Sequence, residues 1–186
     1  MNTLHTPSYR LNMIVFAVFM ILSVIILNIM PERYPIHFDL AGNPTRWAEG
    51  NAVELLILIF FGAFSFVSVT VMQRYLIGDP NSGYLNIPNK KKFLELPEEQ
   101  KVRILRRLNR MLGYVNTFVL LTFISILLMM WSAAAYPGSA FEQICQLFFY
   151  FSIILVLAFP LVDMIFISRY ISQKYREHEQ MGKSDS

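Results

Sequence analysis

Two places in this chain bring together side chains that could do chemistry. The first is Tyr34-Pro35-Ile36-His37-Phe38-Asp39-Leu40. His37 and Asp39 stand two apart, so on a strand they share one face. An imidazole beside a carboxylate can hold a metal or move a proton. A zinc site needs three or four ligands, and the nearby acids are Glu32, Glu49, Glu54 and Glu142. His5 and His178 fall on the far side of the predicted membrane. A structural histidine bonded near a turn is the favoured reading, with no metal expected. The second place is Asp163, the only acid well inside an apolar stretch. Inserting such a carboxylate costs about 2.5–3.5 kcal/mol, so it marks a function or is paired. Arg74, at the inner end of the second apolar run, is the first choice of partner, with Arg10 and Asn12 as others. Pro160, one turn earlier, removes a backbone donor and is expected to kink its helix. A proton or ion pathway wants several polar residues along one lumen, and Asn12, Asn28, Asn116 and Asp163 are scattered over three helices.

The chain shows no nucleophile–base pair and no phosphate-binding loop. No catalytic residue, metal or cofactor is assigned, and an enzyme is not expected. The single cysteine, Cys145, excludes an internal disulfide and reads as a small apolar residue near a helix start.

The elements that must position these groups are membrane helices. Of 186 residues, 55% are hydrophobic and 16% charged, and mean hydropathy is +0.44. A soluble domain is about 25% charged. Apolar blocks run over residues 11–30, 53–72, 111–135 and about 143–168. About 20 apolar residues cross a bilayer core of ~30 Å. Helices are predicted at about 11–30, 53–76, 98–135 and 143–172. The fold class is an all-α integral membrane protein: a four-transmembrane-helix bundle with a small extracytoplasmic β-hairpin at about 34–49 and a cytoplasmic amphipathic helix. Residues 1–186 read as a single membrane domain. The first block is longer than a signal-peptide core, and Ile29-Met30-Pro31 offers no small-x-small cleavage site, so a retained helix is expected.

Charge gives the orientation. Of 16 Lys and Arg, only Arg33 and Arg46 fall in the first and third loops. The positive-inside rule puts both termini and the second loop in the cytoplasm. Trp47 and Trp131 lie near the predicted outer ends, as interfacial aromatics do. A net charge of +3 then reads as topology plus attraction to the anionic lipid of the bilayer. No nucleic-acid partner is indicated, because no base-reading motif accompanies the charge.

From Tyr34 the residues alternate. Tyr34, Ile36, Phe38 and Leu40 are predicted to face the membrane, and His37 and Asp39 to face away. Ala41-Gly42-Asn43-Pro44 is turn chemistry. A turn centred on Gly42-Asn43 puts Asp39 opposite Arg46 as a cross-strand ion pair. A two-stranded unit is not stable alone, so its apolar face is expected on the helix ends or the headgroup layer, as a lid outside the membrane. His37, Phe38, Asp39, Arg46 and Trp47 are the binding candidates for an external peptide ligand.

Pro31-Glu32, then Pro35-Ile36-His37-Phe38, Gly42-x-Pro44 and Arg46-Trp47, all after a predicted transmembrane helix, resemble the signature of a bacterial membrane-protein domain of unknown function. Its best-known relatives are SdpI-like immunity proteins. The resemblance implies protection against a secreted killing peptide and a repressor held at the membrane.

The second loop holds the turn cluster Gly78-Asp79-Pro80-Asn81-Ser82-Gly83, then the run Lys90-Lys91-Lys92. Pro97, Glu98 and Glu99 suit a helix start. Val102, Leu105, Leu108, Asn109 and Leu112 recur at helical spacing, with Arg103, Arg106, Arg107 and Arg110 between them. This basic helix, 98–110, is an interfacial anchor or a docking face for a cytoplasmic protein. The preferred function is membrane-embedded binding: sensing, or protection against an external peptide or membrane-active agent. A small transporter and a structural subunit of a membrane complex are the alternatives.

Overall fold

Long uncharged blocks cannot leave backbone groups unpaired in an apolar medium, so they wind into helices. The computed structural model describes residues 7–50, 52–75 and 85–184. The predicted turn cluster 78–83, His5 and the predicted end of the second helix at residue 76 lie outside the described residues. The elements are α1 (Pro7–Ile29), β1 (Arg33–Phe38), β2 (Pro44–Glu49), α2 (Val53–Tyr75), α3 (Lys90–Glu95), α4 (Glu98–Ala135) and α5 (Ala140–Ser184). Among the described residues four helices, α1, α2, α4 and α5, are long and apolar enough to cross a membrane. That is the make-up of a multi-pass membrane protein.

α4 is the hub and packs against α1, α2 and α5. Phe19 lies by Phe123, and Thr117 bonds Asn12, so α1 runs parallel to α4. α5 runs antiparallel to it: Trp131 meets Phe141, Phe118 meets Phe159, and Arg107 meets Asp163. The outer surface is apolar. Ile14 and Ile21 on α1, Phe60 and Phe64 on α2, and Ile144, Phe151, Ile154 and Leu161 on α5 are all exposed. Water would not tolerate an apolar face that long, and lipid does.

Polar residues lie inside instead. Ser8 and Asn12 of α1, Gln73 of α2, and Asn109, Asn116 and Thr117 of α4 are all buried. Gln73 Nε2 donates to the Asn109 carbonyl (2.8 Å), and Thr117 Oγ1 donates to Asn12 Oδ1 (2.5 Å). Gly113 lets α1 close on α4: a Cβ there would stand 2.6 Å from Ser8 Cβ. Asn12 and Asn116, read above as scattered, thus share one layer where three helices meet. Asn28 does not, as it bonds its own helix at the Val24 carbonyl.

The described residues form two apolar cores. One, around Phe19, Ile26, Leu55, Phe66, Leu120 and Leu127, joins α1, α2 and α4 and reaches the strands through Tyr34. The other joins residues 85–96, the first third of α4 and the second half of α5, around Phe93, Ile104, Leu105, Ile167 and Ile171. At 38 and 45 residues, α4 and α5 are about 57 and 68 Å long, twice what a bilayer core needs, so their paired ends carry this second core. The basic helix 98–110 is the start of α4, in line with the predicted helix 98–135, and its apolar face is covered by protein. α3 arises at the lysine run of the second loop, where no helix was expected. Asn89 enters it at φ 56, a left-handed geometry asparagine tolerates. Asn89 Nδ2 donates to Ser168 Oγ (2.9 Å) and Ser172 Oγ (3.1 Å), and Phe93 is fully buried.

Candidate functional site

The strands pair antiparallel: Arg33 with Glu49, Tyr34 with Ala48, Pro35 with Trp47, His37 with Arg46, and Phe38 with Pro44. The register slips on either side of His37, leaving Ile36 and Thr45 as extra residues. Asp39 then opens the turn. Its carbonyl accepts from Gly42 N (3.0 Å), and its N–H donates to the Asn43 carbonyl (2.9 Å). Gly42 supplies the positive φ, 86°, that the turn requires.

The Asp39–Arg46 ion pair expected from the spacing does not form. The turn is longer than a two-residue hairpin, so Arg46 comes opposite His37. Asp39 instead bends back on its own turn, accepting from Ala41 N (2.9 Å), Asn43 N (2.8 Å) and Asn43 Nδ2 (3.0 Å). His37 does not join it, and its Nδ1 bonds Thr45 Oγ1 (2.5 Å). No group of three metal-ligating side chains occurs among the described residues.

The Asn43 amide and N–H hold the Asp39 carboxyl below the usual carboxylate range. A carboxyl more acidic when folded adds stability above its unfolded value of ~3.9 and loses it as pH falls through the lower folded value. Amide exchange should therefore find Ala41 and Asn43 protected at neutral pH and opened in acid. Asp39→Ala should show the acid behaviour at pH 7; continued protection in that variant would refute the role given to Asp39.

Tyr34 roots the hairpin. It is buried, and its hydroxyl donates to Glu54 Oε2 at the start of α2 (3.2 Å). Burial, then the Glu54 charge, pushes its phenol up to about 12. Ile36 and Phe38 pack on the first core, so Phe38 is a packing residue more than a displayed one. Leu40, expected on that face, is 99% exposed. Alternation ends at Phe38 because Asp39 leaves the ladder.

The hairpin's apolar face rests, as expected, on the helix ends, where Tyr34 and Ala48 share a core with Ile26, Leu55 and Met130, and its turn reaches further. Gln146 Nε2 donates to the Gly42 carbonyl (3.1 Å), and the Tyr150 hydroxyl to the Leu40 carbonyl (2.9 Å). Those residues stand six and ten positions after Ala140, about 9 and 15 Å along α5. The turn lies against the flank of α5. Two α5 side chains thus close its carbonyls, a contact visible only once α5 is placed. Arg33 pairs with Glu49 (3.2 Å) and lies over the half-exposed Trp47 ring (5.2 Å). Under the hairpin base is a cleft of about 260 Å³ lined by Leu27, Met30, Leu55, Glu32 and Tyr34.

Asp163 pairs with Arg107, not Arg74. Arg107 Nη2 and Nε donate to Asp163 Oδ1 at 2.7 and 3.1 Å. Spacing along the chain gives a residue's depth but not its direction around the bundle. Arg74 is on α2, which packs on α4, and it lies over Tyr75 instead (5.5 Å). The signal that could have found Arg107 is the run Arg103, Arg107, Arg110, Tyr114, one helical face pointing at α5.

No curated protein and no solved structure matches the chain. A family model described as a domain of unknown function (DUF1648) matches residues 14–63, which run from α1 through both strands into the first half of α2, so the stretch that carries the hairpin is what this chain shares with that family.

Proposed function

We propose that the chain is an integral protein of a bacterial inner membrane, with both termini and the α3 lobe in the cytoplasm, and that its outer hairpin binds an external membrane-active agent for sensing or protection. One observation carries the reading. The hairpin is fastened at its base by Tyr34–Glu54 and at its tip by Gln146 and Tyr150, yet it leaves His37, Leu40, Arg46 and Trp47 exposed. Rigid presentation of an aromatic and an aliphatic anchor keeps the ordering cost of binding low. The ligand fits as a cationic amphipathic peptide. Asp39, Glu32, Glu49, Glu54 and Glu142 outnumber Arg33 and Arg46 at this end of the bundle, and the cleft below sets Glu32 among Leu27, Met30 and Leu55. The resemblance to SdpI-like immunity proteins supports the protective form.

Cells expressing the chain should survive a secreted or added amphipathic peptide better than cells without it. Leu40→Ser with Trp47→Ala should lose that protection while the protein still reaches the membrane. Unchanged protection would sink the proposal.

A second reading, transport of a small polar solute, draws on the buried layer. Asn12 Nδ2, Gln73 Oε1, Asn109 Oδ1 and both amide atoms of Asn116 find no partner there. Solute flux in proteoliposomes that Asn116→Leu stops would favour it over peptide binding.

A further inference from the structure

Arg103, Arg107 and Arg110 follow one another at steps of four and three, so they share one face of α4. α5 runs beside that face. Between the helices lies a cleft of about 360 Å³, walled by these arginines, Asp163, and the rings of Tyr114 and Phe159. A smaller recess of about 100 Å³ shares Arg103 and Arg107 and is closed by Ile167 and Tyr170. The charge is unbalanced. Asp163 is the one carboxylate in the walls, and Arg107 takes it with two hydrogen bonds. Arg107 also lies over the Phe166 ring (5.7 Å). No ion pair is made by Arg103 or Arg110 among the described residues, and both are exposed. The cleft therefore presents two uncommitted guanidinium groups beside a third that is held in place.

Such a site takes a phosphate. A guanidinium fork matches two phosphate oxygens, and three forks in a concave wall share one anion better than a flat surface does. The surroundings identify the source. The cleft sits where the apolar stretch of α4 gives way to charge. Leu161, Val162, Ile165 and Phe166 of α5 are all more than half exposed beside Asp163. A free phosphate has no use for that apolar surface, whereas acyl chains do. We infer that the α4–α5 cleft binds the phosphodiester headgroup of an anionic phospholipid of the cytoplasmic leaflet, with Arg103 and Arg110 as its ligands and the Asp163–Arg107 pair as the post that positions them. This rests on the membrane orientation proposed above, but not on the outer hairpin's ligand. Basic pockets between helices on that side are suited to such headgroups.

The test uses the full chain in nanodiscs of phosphatidylcholine, alone or with phosphatidylglycerol, followed by mass spectrometry of the lipid kept through detergent extraction. The wild type should retain phosphatidylglycerol over phosphatidylcholine. Arg103→Gln/Arg110→Gln leaves the Asp163 pair intact and should lose that preference by roughly tenfold or more. Lys91→Gln/Arg176→Gln removes equal charge outside the cleft and should keep it. Equal loss in both double variants would overturn the site in favour of general surface attraction. Equal retention by wild type and Arg103→Gln/Arg110→Gln would overturn it too. If inorganic phosphate displaces the retained lipid's effect on thermal stability and reproduces it in phosphatidylcholine alone, the site takes free phosphate and the lipid assignment falls. A chain that never enters phosphatidylcholine nanodiscs would overturn the membrane reading, and this inference with it.

Discussion

Gly113→Leu is expected to prevent α1 from seating on α4 and to yield little folded protein. A Cβ at Gly113 would lie 2.6 Å from both Cβ and Oγ of Ser8 and 3.2 Å from Gln73 Nε2, well inside the ~3.5 Å of an ordinary contact. Ser8 Cβ is fixed to the α1 backbone, so relief requires the helix to move. That movement breaks Thr117–Asn12 and Gln73–Asn109, and each buried polar group left unpaired costs about 1–3 kcal/mol. Alanine sharpens the test. In an open helix Gly→Ala gains up to ~1 kcal/mol. Here Gly113→Ala should instead lose about 1–3 kcal/mol through overpacking, read as a fall in the unfolding midpoint in detergent. Ser8→Gly/Gly113→Ala removes the colliding Cβ and should recover most of the loss. A stabilised single variant would mean that α1 and α4 are not this close.

Asp163→Asn should destabilise the bundle by about 1–3 kcal/mol, less than the 3–5 typical of a fully buried pair, because Arg107 is 44% exposed while Asp163 is 17% exposed. The loss is asymmetric. Without Asp163, three arginines crowd one face of α4 with no carboxylate in the walls of the cleft. Without Arg107, Asp163 still has Arg103 and Arg110 in the same walls, so Arg107→Gln should cost less. The swapped pair Asp163→Arg/Arg107→Asp should restore much of the stability. Arg74→Gln should stay within about 0.5 kcal/mol of wild type. Detergent unfolding measures all four, and an Arg74 effect as large as that of Asp163 would contradict the pairing.

Much of the scaffold was legible because apolar length and charge run along the chain. The four long helices follow from uncharged blocks, the start of α4 from Pro97-Glu98-Glu99, and the inward set Tyr34, Ile36 and Phe38 from simple alternation. What was not legible depends on direction around a helix or on residues far apart. Asp163 sits at the depth of several basic residues, and only the packing of α4 between α2 and α5 selects Arg107 over Arg74. The polar layer joins Asn12 to Thr117, more than a hundred positions away, so no window of sequence contains it. Leu40 looked like one more inward residue because nothing before it shows that Asp39 has begun the turn. α3 was hidden by its lysines, since Phe93 and Leu96 bury themselves only once α5 supplies a surface. The hairpin's anchors, Gln146 and Tyr150, belong to a helix whose path no local pattern reveals.

On the proposed function, the exposed face of the hairpin recognises an external amphipathic ligand. Trp131→Phe leaves Trp47 as the sole tryptophan, and that variant, held in nanodiscs, can be titrated with a cationic leucine- and lysine-rich helical peptide. A saturable blue shift of Trp47 emission is expected, abolished by Leu40→Ser and by replacing the peptide's lysines with glutamate. A Trp47 signal that does not move, or that moves identically in the Leu40→Ser variant and with the acidic peptide, would contradict it.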